Sequence, residues 1–280
     1  MTKIYLFTFC VYINRHSEFL MVKALELLIL SLEKYNNNFE LHIFKNFEIN
    51  ILSPNIKFHD YFGSKYKNYD DNWLDLSFNK INIYKYLHDI FNIDFIWVDI
   101  DTIVTSNIEY INDIESYFID NGGKTNVLQY LFIDNKEYVI EHNKWIQGNF
   151  WKLNIKLFNI LMEIHSNFKN KNMKFSYDLQ SLFTYYFYYI LNGDYNTLLN
   201  NNIYIAGRNY KENTLNGLCI WSSDGSTHAN LEGLNNLFFD NNKKLRSNYY
   251  KDKEIHFVSF TFFTLTNLIY TDKFKELFIN

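Results

Sequence analysis

The stretch Phe95-Ile96-Trp97-Val98-Asp99-Ile100-Asp101-Thr102-Ile103-Val104 restricts what this chain can become more than any other. Four apolar residues in a row, aromatic and β-branched, fit an interior strand of a sheet covered on both faces. Two carboxylates then close that strand. In an open α/β sheet ligands gather at the carboxyl ends of the strands, so acids placed there are placed for chemistry. Residues two apart in an extended segment point the same way, and Asp99 and Asp101 are therefore expected to approach one hard cation, which could neutralise a diphosphate. An Asp-x-Asp by itself arises easily by chance. Its plain alternative is a strand-end turn in which one acid caps the next helix and the other is solvated. The setting favours the metal reading: helical periodicity precedes it from Leu74 to Phe91, and a helix is expected from Ile108 to Tyr117, started by Ser106 or Asn107.

The rest of the chain fits strands alternating with helices. Ile4 to Cys10 reads as a first strand, about Phe19 to Tyr35 as a helix with a stripe of Leu20, Ala24, Leu27, Leu28 and Leu32, and Phe39 to Phe44 as a second strand. This βαβ opening belongs to a Rossmann-like fold with a mixed, mainly parallel sheet flanked by helices. A short strand is possible at Ile56 to Phe58. The helix before the acids carries Lys80 and Lys85, either of which can reach a phosphate across the strand end or simply cover a solvated face. Lys124 to Ile133 reads as a strand, with Asp134 to Glu137 as a turn. In Trp145 to Asn154 an apolar run encloses Gln147, Gly148 and Asn149; Gly148 permits close approach of a ligand backbone, and Trp145 and Trp151 either stack on a sugar ring or pack in the core. Helices follow at about Ile155 to Phe168 and Tyr177 to Leu191, the latter preceded by Ser176. Asn202 to Ala206 is a strand, Gly217 to Gly233 is irregular, and Glu254 to Val258 is a final strand before a last helix.

Composition narrows the class. The chain has 280 residues, 48% of them hydrophobic and 20% aromatic, which suffices for a large core and is read as one domain over 1–280. Net charge is −4 with acids and bases interspersed, so neither a nucleic-acid groove nor a polybasic membrane patch is expected. The two cysteines, Cys10 and Cys219, belong to no ligand cluster and read as reduced thiols. The N-terminus enters an apolar strand directly, without the pattern of a signal peptide, and no apolar run reaches the ~20 residues of a membrane span. A soluble cytoplasmic protein is the expectation.

With these residues placed, the chain resembles a GT-A-fold glycosyltransferase, closest to the retaining family eight, which includes glycogenin and lipopolysaccharide galactosyltransferases. The segment Ile96 to Val104 matches that family's "YLDxDxxV" strand almost position for position. Ile146 to Ile155 aligns loosely with "FNAGVLLINL", Asp178-Leu179-Gln180 echoes an acid-Gln pair with one residue inserted, and Ile255-His256-Phe257 fits the first half of "IHFxGxxKPW". The chain departs from the family at Phe9-Cys10-Val11-Tyr12, where a nucleotide-contacting Asp is usual. It has lysine where an Arg is expected on the helix, and no Lys-Pro-Trp follows His256.

The resemblance implies a nucleotide-sugar half over about 1–105 and an acceptor half over about 106–280. It also implies transfer of a hexose from a UDP-sugar to a hydroxyl acceptor on a glycan or protein, with retention. Mn²⁺ or Mg²⁺ held by Asp99, Asp101 and His256 would stabilise the leaving diphosphate, and one nitrogen ligand beside two carboxylates tilts the choice towards Mn²⁺. His228 is the rival third ligand. Lys80 or Lys85, Asp99 and Tyr12 would contact the nucleotide, Asp178 and Gln180 would face the anomeric carbon, and Gln147, Gly148, Asn149 and Trp151 would meet donor or acceptor sugar. Two other classes stay open: a GT-A-fold carbohydrate-binding or scaffold protein without activity, and a nucleotidyltransferase. The latter usually has a Gly-rich loop after its first strand, and Phe9 to Arg15 has no glycine.

Overall fold

Alternate residues of the first strand feed two different cores, and this sets the architecture. In the computed structural model β1 (Ile4–Cys10) sends Ile4, Leu6 and Cys10 to one apolar layer and Phe7 and Phe9 to the other. Such a strand must lie inside a sheet covered on both faces. The structure describes residues 2–12, 17–61, 69–120, 129–133, 136–140, 146–170, 179–192, 195–207, 218–221, 234–248, 254–260, 265 and 267–279.

In chain order β1 is followed by α1 (Glu18–Tyr35), β2 (Phe39–Lys45), β3 (Ile56–Asp60), α2 (Tyr69–Phe91), β4 (Ile96–Val98) and β5 (Thr102–Val104). A 3₁₀ turn over Glu109–Asp113 leads to β6 (Ser116–Asp120), β7 (Gln129–Ile133), β8 (Lys136–Ile140) and β9 (Ile146–Lys152). Then come α3 (Ile155–Asn170), α4 (Leu179–Tyr185), a π-helical turn over Tyr186–Ile190 and α5 (Tyr195–Asn200). The chain finishes with β10 (Ile203–Gly207), β11 (Leu218–Trp221), β12 (Leu237–Phe239), β13 (Leu245–Ser247), β14 (Ile255–Ser259) and α6 (Asp272–Phe278).

Among the described residues seven strands form the main sheet, in the order β10-β6-β9-β4-β1-β2-β3. All run parallel except β9, which lies antiparallel between β4 and β6. One face is covered by α1 and α6, the other by α2, α3 and α4, giving an α/β, Rossmann-like fold. Ser17 starts α1 by accepting from the Leu20 N–H at 3.3 Å. Asn92, in the left-handed region at φ 53°, closes α2 and turns the chain towards β4; asparagine tolerates that conformation better than most residues.

A second sheet, β11-β14-β5, stands beside the first. The acid-bearing segment is therefore two strands rather than one: β4 belongs to the large sheet, β5 to the small one, and a turn closed by Thr102 N–H donating to Asp99 O at 3.1 Å joins them. The expected helix from Ile108 to Tyr117 is instead the 3₁₀ turn followed by β6. Asn107 accepts from Glu109 N–H as foreseen at a helix start, yet after Ile114 the pattern Ser-Tyr-Phe-Ile suits a strand buried between β9 and β10. Lys136 and Glu137 belong to β8, paired with Ile133 and Phe132, rather than to a turn. No helix among the described residues is long and apolar enough to cross a membrane.

Candidate functional site

Strand order locates the site before any side chain does. The chain moves from β1 outward through β2 to β3, then returns to the other side of β1 as β4. The carboxyl ends of β1 and β4 thus form a topological switch point, where diverging connections open a crevice. Asp99 directly follows β4, and Tyr12 follows β1 by two residues. Tyr12 is half-buried against the α1-side core, with its backbone tied to Asn46: its N–H donates to Asn46 Oδ1 at 2.7 Å and its carbonyl accepts from Asn46 Nδ2 at 3.0 Å.

Around Asp99 the structure gathers several of the foreseen residues. Lys80, on α2, donates to Asp99 Oδ1 at 2.8 Å and to the Gly148 carbonyl at 3.3 Å. The Asp99 N–H donates to the Asn149 carbonyl at 2.7 Å, so β9 fixes the backbone of the acid. A Cβ on Gly148 would come within 2.8 Å of Gln180 Cγ, which is how closely α4 sits on β9. Ser77 holds that helix end by accepting from Leu179 N–H at 3.0 Å. Ser77 and Lys80 are three residues apart on one face of α2, so a single helical turn orders both Gln180 and Asp99.

Asp101 is close enough to Asp99 to feel its charge. Its carboxyl is held well above the usual carboxylate range, first by burial and second by Asp99, while Lys80 pulls the other way. Two adjacent carboxylates sharing one lysine make an under-neutralised acidic site. The donor set, hard oxygens on a turn at the mouth of a sheet, fits Mg²⁺ or Mn²⁺. The approach is not by strand alternation as the sequence suggested, because Asp99 to Thr102 is a turn; the turn itself brings the acids together.

The other predicted residues part company. His256 lies on β14 at the far end of the β5 ladder from Asp101: its carbonyl accepts from Thr105 N–H, whereas Phe260 N–H meets the Asp101 carbonyl. It is 4% exposed, its Nδ1 is 3.0 Å from the Tyr110 hydroxyl, and its Nε2 is 3.9 Å from Glu254. Burial pushes its pKa down to about 4, against the pull of Glu254. Here it is a buried neutral histidine, and it does not join the acid pair. Among the described residues no group of three His, Cys, Asp or Glu is arranged to hold a metal.

Lys85 pairs with Asp89 one turn along α2, on the solvent side, which leaves Lys80 as the lysine of the site. Trp151 is wholly buried between Phe7, Trp97, Tyr84 and Phe183, so its ring is core and cannot stack on a sugar. Gln147 lies on β9, but its side chain is outside the described residues, as are Asp178, His228 and Trp145. Cys10 is buried, and its thiol is pushed up to about 12, which removes it as a nucleophile.

Sequence reasoning passed over Ser77 and Trp97. The signal was present for both: Ser77 is three residues before Lys80 on a helix, and Trp97 is two before Asp99 on a strand, so each shares a face with the residue that was singled out. No protein-family model matches the chain, and no curated protein matches it.

Proposed function

We propose that the protein is a metal-dependent glycosyltransferase that moves a hexose from a UDP-sugar to a hydroxyl acceptor on a glycan or protein. The observation that carries this reading is the pair Asp99 and Asp101 at the β1/β4 switch point, partly neutralised by Lys80. The resemblance of the Ile96 to Val104 segment to the acid-bearing strand of GT-A glycosyltransferases supports the same assignment.

In this reading the nucleotide enters between Tyr12 and Asp99 and lays its diphosphate against the turn. The carboxylates of Asp101 and Asp99 would hold a divalent cation, which would supply Lewis-acid stabilisation of the leaving group. Lys80 sits within reach of the same charge and exchanges its bond with Asp99 for one with a phosphate oxygen. As the bond from C1 to the diphosphate oxygen breaks, its electron pair leaves with UDP, positive charge develops at C1, and the acceptor oxygen bonds there while its proton passes to solvent. Gln180, pressed on Gly148, faces the sugar from α4, with Asp178 two residues before it in sequence. Retention of configuration rests on the resemblance alone.

Isothermal titration of UDP into the full chain, with Mn²⁺ and with EDTA, on wild type and Asp101→Ala, tests the proposal. Metal-dependent binding lost in the variant is the expected result. An absence of UDP binding in every condition would overturn it. One observation favours a second reading, a GT-A-fold binding or scaffold protein without activity: the histidine that the resemblance assigns to the metal is instead engaged by Tyr110. That reading predicts glycan binding without hydrolysis of any UDP-sugar.

A further inference from the structure

Asp99 meets both of its side-chain donors through one oxygen. Lys80 Nζ and Trp97 Nε1 approach Oδ1 at 2.8 and 2.9 Å, and among the described residues none donates to Oδ2. The Lys80 ammonium also lies 4.4 Å from the centre of the Trp97 ring, so one indole touches both members of the ion pair, by its N–H and by its face. Trp97 has no freedom to follow a moving carboxylate. It is 1% exposed and clamped edge-on by Phe7 and Phe9 at 5.0 and 4.8 Å, with Trp151 stacked at 6.2 Å. An indole has a single donor, and burial obliges that donor to find a partner. Asp99, by contrast, is 30% exposed on its side chain and so faces the crevice.

We infer that Trp97 is a positioning residue for the acid pair: its indole N–H locks the Asp99 carboxylate by Oδ1 and leaves Oδ2 as the oxygen offered to a divalent cation. The inference rests on the metal reading above. Outer partners of this kind fix the orientation and basicity of a ligating carboxylate, and their loss costs roughly 10- to 100-fold in metal affinity. Lys80 plays the opposite part. It is a cation already seated on the same carboxylate, so it competes with a metal ion where Trp97 cooperates with it. A packing role for Trp97 predicts a loss of stability and no change in metal affinity.

The test uses the full chain and Mn²⁺ alone as the probe, followed by isothermal titration and by the electron paramagnetic resonance signal of free Mn²⁺. Two changes are made at Trp97. Trp97→Phe removes the donor and part of the ring; 3-benzothienylalanine, introduced by codon suppression at the same position, replaces the N–H by sulfur at nearly constant shape and keeps the core filled. The expected result is a Kd for Mn²⁺ about tenfold weaker than wild type in both, with the thermal midpoint of the benzothienyl protein unchanged. Lys80→Met is expected to move the other way and bind Mn²⁺ more tightly. Wild-type affinity in the benzothienyl protein overturns the inference while leaving the metal reading intact. Failure of the wild-type protein to bind Mn²⁺ overturns both.

Discussion

Asp101 and His256 stand at opposite ends of one antiparallel ladder. The Asp101 carbonyl accepts from Phe260 N–H at 2.9 Å, and the His256 carbonyl accepts from Thr105 N–H at 2.9 Å, four residues earlier on β14. Four residues of strand span about 13 Å. The histidine ring is also held on its own side of the ladder by Tyr110. His256→Asn is therefore expected to leave metal-dependent UDP binding within about twofold of wild type while lowering stability by about 1–3 kcal/mol, because the Tyr110 hydroxyl loses its buried partner. Titration of UDP with Mn²⁺ beside urea unfolding separates the two effects. Loss of metal binding with stability intact would return the ring to the metal site.

Asp101 carries a different trade. Burial and the Asp99 charge both work against its ionised form, so a negative charge at this position is disfavoured in the metal-free protein. Asp101→Asn removes that charge at nearly constant shape. The substitution is expected to stabilise the metal-free protein by on the order of 1 kcal/mol, a rise of about 2 °C in Tm, and to abolish metal-dependent UDP binding. Scanning calorimetry in EDTA and in Mn²⁺ reads both: Mn²⁺ should raise the Tm of wild type and leave that of the variant unchanged. A variant less stable in EDTA would mean that the carboxylate is held by favourable contacts.

Much of the fold was legible because its signals are local. The βαβ opening follows from strands at Ile4 to Cys10 and Phe39 to Phe44 around a helix with a wide apolar stripe, and the acid pair from its place after a buried run. What stayed hidden depends on partners distant in sequence. The break between β4 and β5 exists because β5 pairs with β14, some 150 residues later, and no periodicity in a ten-residue window reports that. Trp151 reads equally as sugar platform or core until β9 is seen lying between β4 and β6. Lys80 and Lys85 are alike in sequence, and only the direction of α2 over the switch point distinguishes them. His256 was drawn to the metal by three letters of resemblance, and register along β14 places it elsewhere.

Among the described residues, three histidines make the fold sensitive to acid. His42 and His59 stack at 4.9 Å and share one N···N hydrogen bond of 2.9 Å, while the other nitrogen of His42 meets Glu40. Burial is the main force lowering both, with the neighbouring His42 adding to it at His59, and Glu40 opposing it at each. Burial lowers His256 in the same way, to about 4. The sign follows directly: from the unfolded value near 6.5 downward the unfolded chain binds more protons than the folded one, so stability falls with pH. The loss runs from about pH 6.5 to the depressed folded values and stops once both states are protonated. For His256 alone, a drop from 6.5 to about 4 is worth roughly 3 kcal/mol across that window. Urea unfolding at pH 7, 6, 5 and 4 should show a steep decline in wild type and a shallower one in His59→Gln. A flat profile between pH 6.5 and 5 would mean that these rings are hydrated and titrate normally.

The 3₁₀ turn that carries Tyr110 depends on a cation from the middle of the sheet. Lys152, on β9 and 6% exposed, donates to the carbonyls of Ile111, Asn112 and Ile114 at 3.0, 3.0 and 2.6 Å. These are carbonyls at the end of a helical turn, where a positive charge is favourable; the Ile111 carbonyl also accepts from the Ile114 N–H at 3.1 Å. Burial lowers the pKa of the ammonium, and Asp94, Asp113 and Glu115 oppose that. Lys152→Met keeps the length of the side chain and removes all three donors. Replacing a buried charge by an apolar group is sometimes neutral, but only when its partners lose their charge or polarity as well. Here three backbone carbonyls remain, so the substitution is expected to cost about 2–4 kcal/mol in urea unfolding. Because the same turn presents Tyr110 to His256, the loss should couple to that pair. In a double-mutant cycle Lys152→Met and Tyr110→Phe are expected to cost about 1 kcal/mol less together than separately. Additive costs would mean that the turn holds Tyr110 in place without the lysine.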